Sequence, residues 1–263
     1  MTAGGKVRLD QRLVDLGLVE SRAKAQALVM AGCVYAGEER LDKPGRPVSP
    51  DLALSLRGQE HPWVSRGGVK LAHALDHFGI DPAGLVCLDV GASTGGFTDV
   101  LLTRGAAKVH AVDVGYGQLA GKLRGDPRVV ILERTNARHL TRERIPDPIG
   151  LIVCDASFIG LETVLPAPMA LAASGARLVA LIKPQFEVGR GRVGKGGVVR
   201  DPALHAEVCG RIAAWMGERP GWSVRGVTQS PLKGPEGNIE FLIAAELERG
   251  APAPDQSSSK AFL

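Results

Sequence analysis

From residue 85 onward the chain alternates short apolar runs with longer mixed segments. LVCLDV, KVHAVDV, VVIL, LIVCD, ARLVALIKP, SVRGVTQ and IEFLIAAEL are seven strand-length runs, with helix-length stretches between most of them. This rhythm predicts a mainly parallel sheet with helices on both faces. The last two runs are separated only by SPLKGPEGN, too short for a crossover helix, so they are expected to pair antiparallel. Before residue 85 the period differs. Leu9, Leu13 and Leu16 recur at helical spacing and Gly17 ends that helix. Ser21 can cap a second helix with Ala25, Leu28 and Val29 on its inner face, and Gly32 stops it. CVYAG and LALSLRG follow as short β segments around a Pro/Gly turn. Ser65 and the spacing of Leu71, Leu75 and Phe78 predict a further helix carrying Lys70. The expected layout is a small α+β domain over 1–58, a linker over 59–66, an α/β domain over 67–250 and a flexible tail over 251–263.

Composition narrows the class. The 263 residues are 44% apolar and 23% charged, the balance of a globular protein. No apolar run approaches the roughly 18–20 residues that span a bilayer, so no membrane span is expected. MTAGGKVRLDQRL does not read as a secretory signal. Cys33, Cys87, Cys154 and Cys209 lie far apart without a C-x-x-C pair, which argues against a cysteine zinc module or a disulfide framework. A cytoplasmic location fits.

The net charge of +4 permits a polyanionic partner without requiring one. Its distribution says more. Residues 183–200 hold five cations, Lys183, Arg190, Arg192, Lys195 and Arg200, against Glu187 alone. In the N-terminal domain, Arg8 and Arg12 lie one turn apart, and Arg22 and Lys24 open the second helix. They form either a basic face toward phosphates or an ordinary solvated surface. Aromatic residues make up only 4%, which disfavours a base-stacking platform.

LVCLDV runs into GASTGG and then a helical segment. This places Gly91, Ala92, Ser93, Gly95 and Gly96 at the carboxyl end of the first parallel strand, where open α/β sheets bind ligands. The loop is not a P-loop, because Phe97-Thr98 stands where Lys-Ser/Thr is required. Asp113 ends the next strand, where a carboxylate can accept from ribose hydroxyls. Asp89 can order the loop or approach a cofactor ammonium. Asn136 can border an adenine or hold a turn. Parallel strands closed by one antiparallel hairpin describe the usual architecture of S-adenosylmethionine-dependent methyltransferases.

Two further strands end in Asp155 and Lys183, both expected above the carboxyl edge of the sheet. An ammonium ending an apolar strand is costly unless it is used. The Asp/Asn-Pro-Pro-Tyr/Phe motif of amino-methylating enzymes is replaced here by DASF. Cys154 lacks the context of a cytosine-methylating nucleophile and reads as a small buried strand residue.

These strings carry two resemblances. RLDQRLVDLGLVESRAKAQALVMAGCVYAG resembles the ribosomal S-four-type RNA-binding module, which implies recognition of folded RNA through shape and backbone. CLDVGASTGGFTDVLL, AVDVGYGQLAGKLRGDPRVVILERTNAR, LIKPQFEVGRGRVGKGGVV and SPLKGPEGNIEF resemble the TlyA family of ribosomal RNA 2′-O-methyltransferases, whose catalytic domain is FtsJ-like. The second resemblance implies a seven-stranded Rossmann-like sheet, S-adenosyl-L-methionine as cofactor, ribosomal RNA or ribosomal subunits as partner, and methylation of a cytidine ribose. It also implies a catalytic tetrad at Lys70, Asp155, Lys183 and Glu240. No metal is needed, because a sulfonium is already activated. Lys183 would act either as a base, kept neutral by the charge of Lys70 in a dry pocket, or as a cation stabilising the developing alkoxide. The loop after Lys183, with Arg190, Arg192 and Lys195, would form a mobile lid over RNA. Trp63 falls in the family's interdomain linker or is a packing residue. The family also carries a haemolysin label, for which no span, signal or amphipathic helix speaks.

Overall fold

The computed structural model describes residues 6–57 and 61–250, and the tail expected over 251–263 lies outside them. Two compact units divide the chain between Val69 and Lys70.

In the first unit β1 (Val7–Arg8) runs directly into α1 (Leu9–Asp15), and α2 (Arg22–Met30) follows. Ser21 caps α2: its Oγ accepts from the Lys24 N–H at 3.2 Å, satisfying a first-turn donor that has no partner inside the helix. β2 (Val34–Ala36), β3 (Glu39–Arg40), β4 (Pro47–Val48) and β5 (Ser55–Leu56) complete the unit. β2 lies antiparallel between β3 and β5, and β1 pairs with β4. Leu9, Leu13, Ala25, Val29, Val34, Leu41 and Val48 form the core between helices and strands. Leu16, expected on the inner stripe, is instead 39% exposed. α1 stops at Asp15, and Gly17 at φ +67° turns the chain before the third apolar position can face the core. The LALSLRG segment is strand only at Ser55–Leu56. Trp63 has a definite packing role. A Cβ on Gly68 would overlap its indole, so only glycine fits beneath the ring.

α3 (Gly67–Phe78) runs across the division between the units and buries Leu71, Ala74 and Leu75. Then come β6 (Val86–Val90), α4 (Gly96–Thr103), β7 (Lys108–Val112), α5 (Gly121–Arg124) and β8 (Val129–Leu132). After these run β9 (Ile149–Cys154), α6 (Leu161–Val164), α7 (Pro166–Met169) and β10 (Ala172–Ile182). α8 (Pro184–Glu187), α9 (Pro202–Gly217), β11 (Trp222–Gln229) and β12 (Phe241–Leu247) end the described chain. All seven expected strands form one sheet in the order β11-β12-β10-β9-β6-β7-β8. β12 alone runs against the direction of the other six, antiparallel to both β10 and β11. Several connections are shorter than the expected crossover helices: α5, α6 and α7 have four residues each. β9 and the second half of β10, from Leu178 to Ile182, are buried on both faces, which accounts for their apolar sequences.

Two features of this topology build the site. Successive strands spread one way from β6 through β7 to β8 and the other way from β9 to β10, so the sheet's switch point lies between β6 and β9. Diverging connections leave a crevice there at the carboxyl ends. β12 approaches from the opposite direction, with Phe241 opposite Ile182. Glu240, just before β12, and Lys183, just after β10, are thereby brought to the same edge of the sheet.

Candidate active site

The glycine-rich loop sits at the switch point. Gly91 has φ +83°, and a Cβ there would lie 3.0 Å from the backbone of Ala156, so a side chain is excluded by both conformation and space. The N–H groups of Gly91 and Ala92 donate to the Val112 carbonyl, and Gly95 at φ +92° leads into Gly96 and α4. Ser93 turns its N–H to Asp113 Oδ2 at 2.8 Å, while Gly115 donates to Oδ1 at 2.7 Å. Each Asp113 oxygen therefore keeps a lone pair for a hydroxyl. Ala92, Ser93, Asp113, Gln118, Ile131 and Glu133 line a shallow cleft beside it.

Asp89 is fully buried beneath the loop. Thr98 Oγ1 donates to its Oδ2 at 2.7 Å, and its Oδ1 has no partner among the described residues. Burial pushes its carboxyl up to about 7, reinforced by the charges of Asp155 and Asp113 and opposed by the Thr98 bond. An orphaned buried acceptor, a backbone cradle and a ribose-ready carboxylate fit an amino-acid nucleoside such as S-adenosylmethionine. Asn136 makes the turn contact open to it. Its Oδ1 accepts from the Arg138 N–H at 3.1 Å and caps the 3-10 turn at Ala137–His139.

Lys70, Asp155, Lys183 and Glu240 form two short ion pairs. Lys70 Nζ lies 2.6 Å from Glu240 Oε2, and Lys183 Nζ lies 2.5 Å from Asp155 Oδ1. Lys183 also donates to the Asp155 carbonyl at 3.0 Å and to Ser157 Oγ at 2.9 Å. Lys70, Lys183 and Glu240 are all buried, and a Cβ on Gly234 would overlap Glu240 Oε1. Of the two states open to Lys183, the surroundings favour the protonated one. Burial does lower its pKa, but the carboxylates of Asp155 and Glu240 outweigh burial and hold it above the ordinary lysine value. The charge of Lys70 is matched by Glu240 and is not turned against Lys183. Cys154 is a buried strand residue whose thiol burial pushes up to about 12, as its sequence context suggests.

Ser157, Thr98 and Gln118 were not singled out by sequence reasoning. Ser157 stands two places after Asp155 in the DASF segment, and that proximity is the one signal that could have marked it. Phe158 follows with φ +65° and is 89% exposed, its ring 5.1 Å from that of Phe186.

The expected RNA-facing cations differ in their settings. Arg8 and Arg22 both bond Asp10, Arg12 encloses its Nε, and Lys24 is exposed. Arg190 opens a 3-10 turn at Arg190–Arg192, and Lys195 begins another at Lys195–Gly197. Arg192 is not free: Glu207 engages it at 2.5 and 2.6 Å. Asn238 holds the far end of this loop, accepting from the Val199 N–H and donating to the Gly197 carbonyl, both at 3.0 Å.

Fold and site together define a Rossmann-like methyltransferase preceded in the chain by an S4 domain. Residues 63–247 match the family model of the FtsJ-like methyltransferases, and residues 7–53 match that of the S4 domain. The chain is 53% identical over 239 residues to the 16S/23S rRNA (cytidine-2′-O)-methyltransferase TlyA of Mycobacterium tuberculosis, covering 90% of this chain and 89% of that protein. It is 41% identical to Hemolysin A of Brachyspira hyodysenteriae, covering 90% and 98% of the two chains. A solved Streptococcus thermophilus structure described as a hemolysin superposes with a TM-score of 0.73 at 41% identity, covering 97% of this chain and 93% of that one. The chain belongs to the TlyA family of FtsJ-like methyltransferases.

Proposed function

We propose that this chain is an S-adenosylmethionine-dependent methyltransferase acting on the ribose 2′-hydroxyl of cytidine in ribosomal RNA. The observation that carries the reading is the pair of buried lysine–carboxylate contacts, Lys183–Asp155 and Lys70–Glu240, at the edge where the glycine loop ends β6. Bound S-adenosylmethionine supplies an electrophilic methyl group on its sulfonium. Asp113 would accept from the cofactor's ribose hydroxyls, the loop from Gly91 to Gly96 would cradle it, and Asp89, with its unpartnered Oδ1, would hold its ammonium. Lys183, protonated at rest, holds the 2′-oxygen and stabilises negative charge developing there. As the methyl would leave sulfur, its bonding pair staying there as a neutral thioether, and join the 2′-oxygen, the hydroxyl proton would pass to the Asp155 carboxylate. Lys70 and Glu240 keep the second ammonium and carboxylate in register, so the cluster stays balanced without water. A base turned out of its helix would find the exposed ring of Phe158 as a stacking face.

Residues 1–58 serve as the RNA-binding domain, 59–66 as the linker and 67–250 as the catalytic domain. The cations at Arg8, Arg12, Arg22, Lys24, Arg190, Arg192 and Lys195 contact phosphates. The enzyme works in the cytoplasm on ribosomal subunits, a setting consistent with its four free cysteines. A haemolysin is the weaker reading; no helix among the described residues is long and apolar enough to cross a membrane.

The test is transfer of labelled methyl from S-adenosylmethionine to ribosomal subunits. Lys183→Ala should abolish transfer while cofactor binding persists, and full activity in that variant would overturn the assignment.

A further inference from the structure

The first unit places a carboxylate at the centre of a face whose expected ligand is itself an anion. Asp10 has no solvent exposure, whereas the side chains of Arg8 and Arg22 keep 53% and 50% of theirs. Arg8 grips Asp10 side-on, donating from Nε to Oδ1 at 3.0 Å and from Nη2 to Oδ2 at 2.8 Å. Arg22 Nη2 reaches the same Oδ2 at 3.2 Å, and Gln26 Nε2 reaches it at 2.9 Å. The Gln11 N–H closes Oδ1 at 2.9 Å. All the acceptor capacity of this carboxylate is thus taken up inside the protein. The remaining guanidinium N–H groups of Arg8 and Arg22 have no acceptor among the described residues.

Three elements meet at Asp10: Arg8 comes from β1, Asp10 from α1, and Arg22 and Gln26 from α2. Sharing one oxygen puts the two Nη2 atoms no more than about 6 Å apart, close enough for one phosphodiester to bridge them. Two free guanidiniums at that distance would repel each other, and each would have rotamers to lose on binding. The shared carboxylate removes both penalties before RNA arrives.

We propose that Asp10 is a positioning residue that holds Arg8 and Arg22 as a paired clamp for one RNA backbone phosphate. This rests on the reading of the N-terminal domain as RNA-binding and adds how its contact is preformed. It also makes a prediction opposite in sign to simple electrostatics. Asp10→Asn raises the charge of the face by one, so point charges alone would tighten RNA binding. A positioning role requires weaker binding.

The experiment measures affinity of the full-length chain for ribosomal RNA from purified subunits at two salt concentrations. Asp10→Asn should weaken binding about fivefold or more, and the loss should vanish in an Arg8→Ala/Arg22→Ala background. Arg8→Lys, at an exposed site that keeps its charge but loses the side-on grip, should lose most of what Arg8→Ala loses. Binding by Asp10→Asn that equals or exceeds wild type overturns the role, as does a loss that persists undiminished in the double-alanine background. If Asp10→Asn unfolds the unit, Arg8→Lys decides alone, and wild-type affinity in that variant overturns the role. If the double-alanine variant binds like wild type, the RNA contact at this face fails and the positioning role falls with it. A failure of Asp10→Asn alone leaves the contact standing and removes only the positioning.

Discussion

Lys70 and Glu240, 170 positions apart in the chain, meet at 2.6 Å in a buried ion pair. The contact joins α3, which precedes the sheet, to the residue just before β12, the last strand of the chain. Removing one partner strands the other charge in the interior. Lys70→Met or Glu240→Gln alone should therefore destabilise the protein by about 3 kcal/mol. The double variant should recover a large part of that loss. Denaturant melts of the three variants check this, and additive single losses would contradict a coupled pair.

The ammonium of Lys183 is held above the ordinary lysine pKa by Asp155 and Glu240 against the effect of burial. A raised folded-state pKa means that its contribution to stability is complete below the unfolded value and is lost as pH rises through the folded one. At neutral pH the group is charged, so transfer need not wait for its deprotonation. With saturating cofactor and RNA, the rate should stay level from about pH 8 to about pH 10, whereas a general base would give a tenfold rise per unit. Such a rise would show that Lys183 acts as the base.

Asp89 gives a second pH signature. Its carboxyl is pushed up to about 7 by burial, so the folded protein favours the protonated form. The stability this provides is present below the ordinary carboxylate range and is lost as pH rises through about 7. The slope reaches about 1.4 kcal/mol per pH unit in that window. Asp89→Asn mimics the protonated form at all pH values. The stability difference, wild type minus Asp89→Asn, should therefore fall between about pH 4 and pH 7 in melts without cofactor, and a flat difference would contradict it.

The sheet was readable because each strand carries a short, largely apolar run, and the antiparallel hairpin because nine loop residues cannot carry a crossover helix. Gly91, Gly95 and Asp113 were readable because strand ends and glycines announce close backbone approach. Residue-level geometry was less accessible. The protonated state of Lys183 depends on which carboxylate faces which lysine, and that follows from β12 pairing with β10. Spacing alone shows no such register. Asn136 could border a base or cap a turn, and spacing does not reveal the Arg138 N–H that it caps. The Asp10 cluster draws on three elements, so no single helical period reveals it. Leu16 fits the apolar stripe in sequence but lies past the helix end, where periodicity no longer sets direction.

The most direct test of the central claim is nucleoside analysis of ribosomal RNA after incubation of ribosomal subunits with the protein and S-adenosylmethionine. The account predicts 2′-O-methylcytidine, formed by the wild-type chain and absent with Lys183→Ala. Methyl groups on bases only, or no methylated nucleoside from subunits that lack the modification at the start, would contradict it.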